Sequence, residues 1–166
     1  MAFGDRWVPA LYVRIAPDAV EIRSSNSALV WSDEAIIALV ASPKIQILAL
    51  GATARLAVTQ TAGAFLCEPF VHPRCLISDY LVAEVFLKYA IRSYRKRTQR
   101  WFSPSAHLLL HPCPSPAQAV GRMTQVEQRA WRELGEHCGA RKVDLIDPLA
   151  GEEDIQKLLR DWPALG

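Results

Sequence analysis

The chain has 166 residues, enough for one domain with a real hydrophobic core. Hydrophobic residues make up 51% and charged residues 22%, which excludes an intrinsically disordered class. The formal net charge is +2, so overall charge demands no nucleic-acid partner and any basic surface must be local.

The opening residues, MAFGDRWVPALYVRI, lack a basic region followed by a sustained apolar stretch and do not read as a signal peptide. The longest apolar run, Ala35 to Ala41, is strand-sized and far below the ~18 residues of a spanning helix. A cytoplasmic location is expected, with Cys67, Cys75, Cys113 and Cys138 as thiols.

Leu11 to Ile15 and Ala19 to Ile22 read as a hairpin turned by Ala16-Pro17-Asp18, and Ser24 to Ser27 as a polar connection. Ala35 to Ala41 and Ile45 to Leu50 are the next strands, followed by a short helix from Ala52 to Val58. Thr59 to Pro73 mixes Gly, Pro and polar residues and reads as an exposed loop. A long helix is predicted from an Asp79 N-cap to Arg100, with Val82, Val85, Phe86, Tyr89 and Tyr94 near helical spacing. Leu108 to Leu110 is a short apolar strand ending at His111-Pro112.

Thr124-Gln-Val-Glu127 matches a capping box and opens a helix that stops by Gly139. Val143 to Ile146 is a strand closed by Asp147-Pro148. Glu152 to Trp162 is a final amphipathic helix with Ile155, Leu158, Leu159 and Trp162 on one side. Helices alternating with apolar strands in the second half predict an α/β layer with parallel strands.

The run from Thr124 to Ile146 (TQVEQRAWRELGEHCGARKVDLI) closely resembles a segment of the MreB bacterial actins. Leu76-Ile-Ser-Asp-Tyr80 with Glu84 and Tyr89-Ala-Ile91, and Ile45 to Arg55 (IQILALGATAR), resemble earlier blocks in the same order. The resemblance implies the ribonuclease-H-like fold of the actin and Hsp70 superfamily: a mixed sheet with packed helices, two lobes enclosing one nucleotide. Residues 1–150 would form lobe one, with a small insertion-type subdomain around 28–75, and 151–166 a C-terminal capping helix. The second lobe's Asp-x-Gly-Gly-Gly-Thr type phosphate loop has no counterpart here.

Lobe one of the family also carries a phosphate loop, with its first strand ending in Asp-Leu-Gly-Thr. Here Arg14-Ile15-Ala16-Pro17 stands at that place. Arg for Asp reverses the charge that would hold Mg²⁺. Pro for Thr removes a backbone N–H, and Ala for Gly adds a Cβ to a crowded turn. Asp147 stands where the family has the Glu that positions the attacking water. No intact ATPase, no catalytic residue, no cofactor and no metal site are expected from this set.

Lys88, Arg92, Arg95, Lys96, Arg97 and Arg100 concentrate charge at the end of the long helix, just before Trp101-Phe102. A macrodipole-favoured C-terminus over buried aromatics is the plain reading. A partner surface or anionic-lipid anchor is the sharper one, which the resemblance supports through a family membrane-binding loop nearby. Nucleic acid is disfavoured because no recognition motif accompanies the charge. Cys67, His72, Cys75, His107, His111 and Cys113 lack metal-ligand spacing and read as buried thiols and loop histidines. Leu158, Leu159 and Trp162 read first as a cap over the open sheet, with a docking helix as the alternative. The expectation is thus a non-enzymatic actin-like lobe acting on a protein partner, such as a bacterial actin or an envelope component. A peripheral membrane adaptor, an ATPase half completed by a partner, and a homodimer are the rival arrangements.

Overall fold

The computed structural model describes residues 10–41, 43–98, 107–115 and 122–162. Eight strands and four helices follow in the order β1 (Ala10–Ile15), β2 (Ala19–Ser24), β3 (Ser27–Glu34), β4 (Ile37–Ala41), β5 (Ile45–Leu50), α1 (Thr53–Gln60), β6 (Ala64–Cys67), α2 (Tyr80–Arg97), β7 (His107–Pro112), α3 (Gln125–His137), β8 (Lys142–Leu145) and α4 (Glu152–Asp161).

β1 is buried at every position except Arg14, as a strand covered on both faces must be. It lies at the centre of a five-stranded sheet of order β3-β2-β1-β7-β8. β1 pairs antiparallel with β2, which pairs antiparallel with β3, while β7 and β8 run parallel to β1. The parallel half is built by α2 and α3 as crossovers, the expected arrangement of strands alternating with helices. Odd-numbered side chains of β1 (Leu11, Val13, Ile15) enter the larger core with Phe86, Leu87 and Ile91 of α2 and Trp131 and Leu134 of α3. Even-numbered ones face the other way, where Ala10, Tyr12 and Leu109 meet Ile155 of α4.

A second, antiparallel sheet of order β5-β4-β6 carries α1 on one face, with Ile36, Ala38 and Ala54 buried between them. Ile37 and Leu39 of β4 point the other way and join the larger core.

Local signals explain why the helices stand where they do. The Asp79 carboxylate accepts the Val82 N–H at 3.0 Å and starts α2. The Thr124 hydroxyl accepts the Glu127 N–H at 3.2 Å while Glu127 accepts the Thr124 N–H at 2.6 Å, a reciprocal cap for α3. Gly139, at φ +85°, ends that helix. Gly135 lets α3 lie on the sheet, since a Cβ there would sit 2.7 Å from Val143 Cγ2.

Two strands depart from the sequence reading. Residues 28–34, left without an element, belong to β3, where Leu29 and Trp31 alternate with exposed Ala28 and Val30. Thr59 to Pro73 is not simply a loop, because Ala64–Cys67 forms β6 and pairs with β4. Its four residues are half exposed, so no alternation of burial marked them as a strand.

Candidate functional site at the strand ends

β1, β7 and β8 run parallel and end together, so the residues following each strand share one end of the sheet. In an open α/β sheet this end is where ligands bind. It carries Arg14 to Pro17 across the end of β1, His111 and Cys113 around the end of β7, and Asp147-Pro148 after β8.

The turn after β1 is closed within itself. The Ala16 N–H donates to the Ala19 carbonyl at 2.9 Å, and the Ile15 carbonyl accepts the Cys113 N–H at 2.7 Å. Pro17 has no N–H to offer. Arg14 is the one exposed residue of β1.

Asp147 is also engaged locally. Its Oδ1 accepts the Leu149 N–H at 2.9 Å and its carbonyl accepts the Ala150 N–H at 2.9 Å, a side-chain-assisted turn leading into α4.

Beneath this turn the Tyr12 hydroxyl meets His111 Nδ1 at 2.7 Å. Burial pushes the Tyr12 hydroxyl pKa well up and the His111 pKa down. The His111 Nε2 finds no hydrogen-bond partner, and the Pro148 and Asp147 carbonyls only partly offset its burial. Burial likewise raises the Cys113 thiol, against the lowering effect of the Arg14 guanidinium.

His111 and His107 are therefore not loop histidines: both lie within β7 and are buried. Their ring nitrogens offered no sequence signal of burial, because a polar side chain is placed inside by its neighbours' packing and not by its own type. His107 Nε2 meets Asp144 Oδ2 at 2.7 Å and its ring sits edge-on to Trp162, centroids 4.4 Å apart. Burial lowers the His107 pKa and outweighs the opposing Asp144 carboxylate. Among the described residues no three His, Cys, Asp or Glu side chains converge as a metal site.

The predicted surface residues divide in two. Arg92, Lys96 and Arg97 are exposed near the end of α2 and Arg95 is half-buried, while Arg100, Trp101 and Phe102 lie outside the described residues. Lys96 and Arg97 line a shallow groove with Trp31, Ser32, Asp33, Tyr89 and Ser93. On α4, Leu158, Leu159 and Trp162 pack partly buried against the sheet of their own chain, beside the fully packed Ile155. Arg23 of β2 bonds Glu152 at the start of that helix and so fixes it across the sheet.

Among the described residues no helix is long and apolar enough to cross a membrane. The family model described as MreB/Mbl protein matches residues 18–151. This chain belongs to the MreB/Mbl family. The match begins just after Arg14 to Pro17, which leaves that turn outside it. The fold of the MreB/Mbl chain is similar to MreB5 of Spiroplasma citri bound to ADP, with TM-score 0.63 and 23% identity, covering 85% of this chain and 38% of that one. MreB5 of the same organism bound to AMPPNP gives TM-score 0.63 and 24% identity, covering 84% and 38%. A non-polymerising mutant of MamK bound to AMPPNP gives 0.53 and 9%, covering 83% and 40%. The chain thus spans about two fifths of the length of these structures, which share its actin-like fold. No curated protein matches it.

Proposed function

We propose that this MreB/Mbl chain works without hydrolysing ATP, as an actin-like interaction component of the cell-shape cytoskeleton or envelope machinery. The observation that carries the reading is the turn Arg14-Ile15-Ala16-Pro17. A phosphate loop needs free backbone N–H groups and a carboxylate that holds the metal shell. Here the Ala16 N–H is spent on Ala19, Pro17 has none, and a guanidinium stands where the resemblance places the carboxylate. The Asp147 carboxylate, placed by the resemblance at the water-positioning position, caps its own turn instead. The scaffold of strands and capped helices is retained while this chemistry is not. Its surfaces then carry the function, through a protein partner in the same machinery.

The MreB5 and MamK structures hold ADP or AMPPNP, so nucleotide is the ligand to test. A ligand that binds only the folded state stabilises it by RT ln(1 + [L]/Kd) and so raises its melting temperature. Millimolar Mg-ATP is expected to leave the melting temperature unchanged and to yield no phosphate. Saturable stabilisation, or phosphate release that disappears in Asp147→Ala, would overturn the reading.

A further inference from the structure

The segment between β6 and α2 holds a second group of reactive side chains, separate from the strand-end turn. His72 and Leu76 exchange backbone hydrogen bonds, N–H to carbonyl in both directions at 3.0 and 3.1 Å, and close a five-residue loop. Leu76 is buried and takes φ +64°, the only non-glycine left-handed residue among those described. A leucine held there is strained and is kept by the packing around it. The loop is therefore built, with its side chains set by backbone closure.

That closure brings Cys75 Sγ to 3.3 Å from His72 Nδ1. The Arg74 and Cys75 N–H groups also approach Nδ1, each at 3.3 Å, which keeps that nitrogen as an acceptor and places the ring proton on Nε2. The thiol thus faces the lone pair of the imidazole. Sγ also contacts the Ile77 carbonyl at 3.4 Å. Cys75 is half-buried and lines a small surface pocket with Arg74, Arg122, Met123, Glu127 and Pro148, in which Arg74 is ion-paired with Glu127 at 2.7 Å. A half-buried thiol with an imidazole in contact has the surroundings of a reactive cysteine.

We propose that the Cys75–His72 pair is a site of reversible thiol modification that takes small disulfides. His72 Nδ1 accepts the thiol proton, and the Cys75 thiolate attacks one sulfur of the incoming disulfide. A new S–S bond forms to Cys75, the reagent's S–S bond breaks, and the departing half leaves as a thiolate that takes up the proton. The disulfide is the oxidant, and a small thiol reverses the step. The other three thiols are less suited: burial raises the pKa of Cys67 and Cys113, and pushes Cys138 up to about 12.

Per-cysteine mass spectrometry of the folded chain incubated with oxidised glutathione at neutral pH tests this. Cys75 is expected to form the mixed disulfide at least about tenfold faster than Cys67, Cys113 or Cys138. Equal rates at the four cysteines would overturn the proposal without recourse to any variant. In His72→Gln, with its melting temperature checked, the Cys75 rate is expected to drop; an unchanged rate would remove His72 from the step.

Discussion

His111 shows how a residue type that titrates near neutrality can tie a fold to pH. Its ring is 3% exposed, shares a hydrogen bond with the Tyr12 hydroxyl, and is held neutral by burial. His107, two turns of the pleat away on the same strand, is depressed for the same reason. In the unfolded chain both would titrate near ~6.5. Because their folded pKa values lie lower, the unfolded state takes up protons first as the pH falls. The stability contributed by the neutral rings is complete above ~6.5 and is lost as the pH drops below it toward the folded pKa values. The melting temperature is therefore expected to fall between pH 7.5 and 5.5. His111→Gln, which cannot titrate, should reduce that fall; a variant with the wild-type pH slope would exclude His111 as a source. At this scale the sequence exposed Arg14, Pro17 and Asp147 as departures, because substitution against a motif is visible in letters. It gave no sign of the Tyr12–His111 or His72–Cys75 contacts. The first spans 99 positions, and the second depends on a left-handed leucine.

Elements were legible in proportion to their end signals. α2 and α3 begin at Asp79 and Thr124, whose side chains bind the first free N–H groups, and both could be located from those residues. β3 and β6 lack such punctuation and sit at sheet edges, where half-exposed side chains blur the alternation. α4 lies between these cases. Its amphipathic pattern was plain, but only the structure shows which sheet face it covers. Ile155 is its buried centre at 3% exposure, packed on Ala10, Tyr12 and Leu109. Ile155→Ala should cost about 2–4 kcal/mol, the range for a buried isoleucine that leaves a cavity. Leu149→Ala, at 85% exposure in the turn before α4, should change stability by no more than about 0.5 kcal/mol. Chemical denaturation of both variants separates a helix that seals the sheet from one merely resting on it: equal, small effects would show that α4 does not contribute to the core.

At the scale of the whole molecule the two sheets are joined by polar contacts around Asp33 as well as through the shared core. Asp33, near the end of β3, accepts the Glu34 N–H at 2.9 Å, the Ala52 N–H at 2.8 Å and the Tyr89 hydroxyl at 2.8 Å. One carboxylate thus holds the five-stranded sheet, the turn between β5 and α1, and α2. Burial and this bond push the Tyr89 pKa up to about 12. Gly51 makes the approach possible: it takes φ +71°, donates its N–H to the Ile36 carbonyl at 2.9 Å, and has no Cβ where one would lie 1.9 Å from Asp33 Oδ2. The sequence showed Gly51 as a strand end but not its partner 18 positions earlier, because the contact closes only after β4 and β5 have folded back. Asp33→Ala strips the acceptor from the Ala52 N–H and the Tyr89 hydroxyl and should cost about 2 kcal/mol. Gly51→Ala should cost at least as much, since the carboxylate must move and the left-handed backbone disfavours alanine. Ile37 and Leu39 of the small sheet pack in the same core as Leu11 and Val13 of the large one. Unfolding should therefore remain a single transition, lower in midpoint, when followed by both far-ultraviolet dichroism and tryptophan fluorescence. A small-sheet transition that separates from an unshifted large-sheet one in Asp33→Ala would mean that the junction, and not the shared core, sets the cooperativity of the lobe.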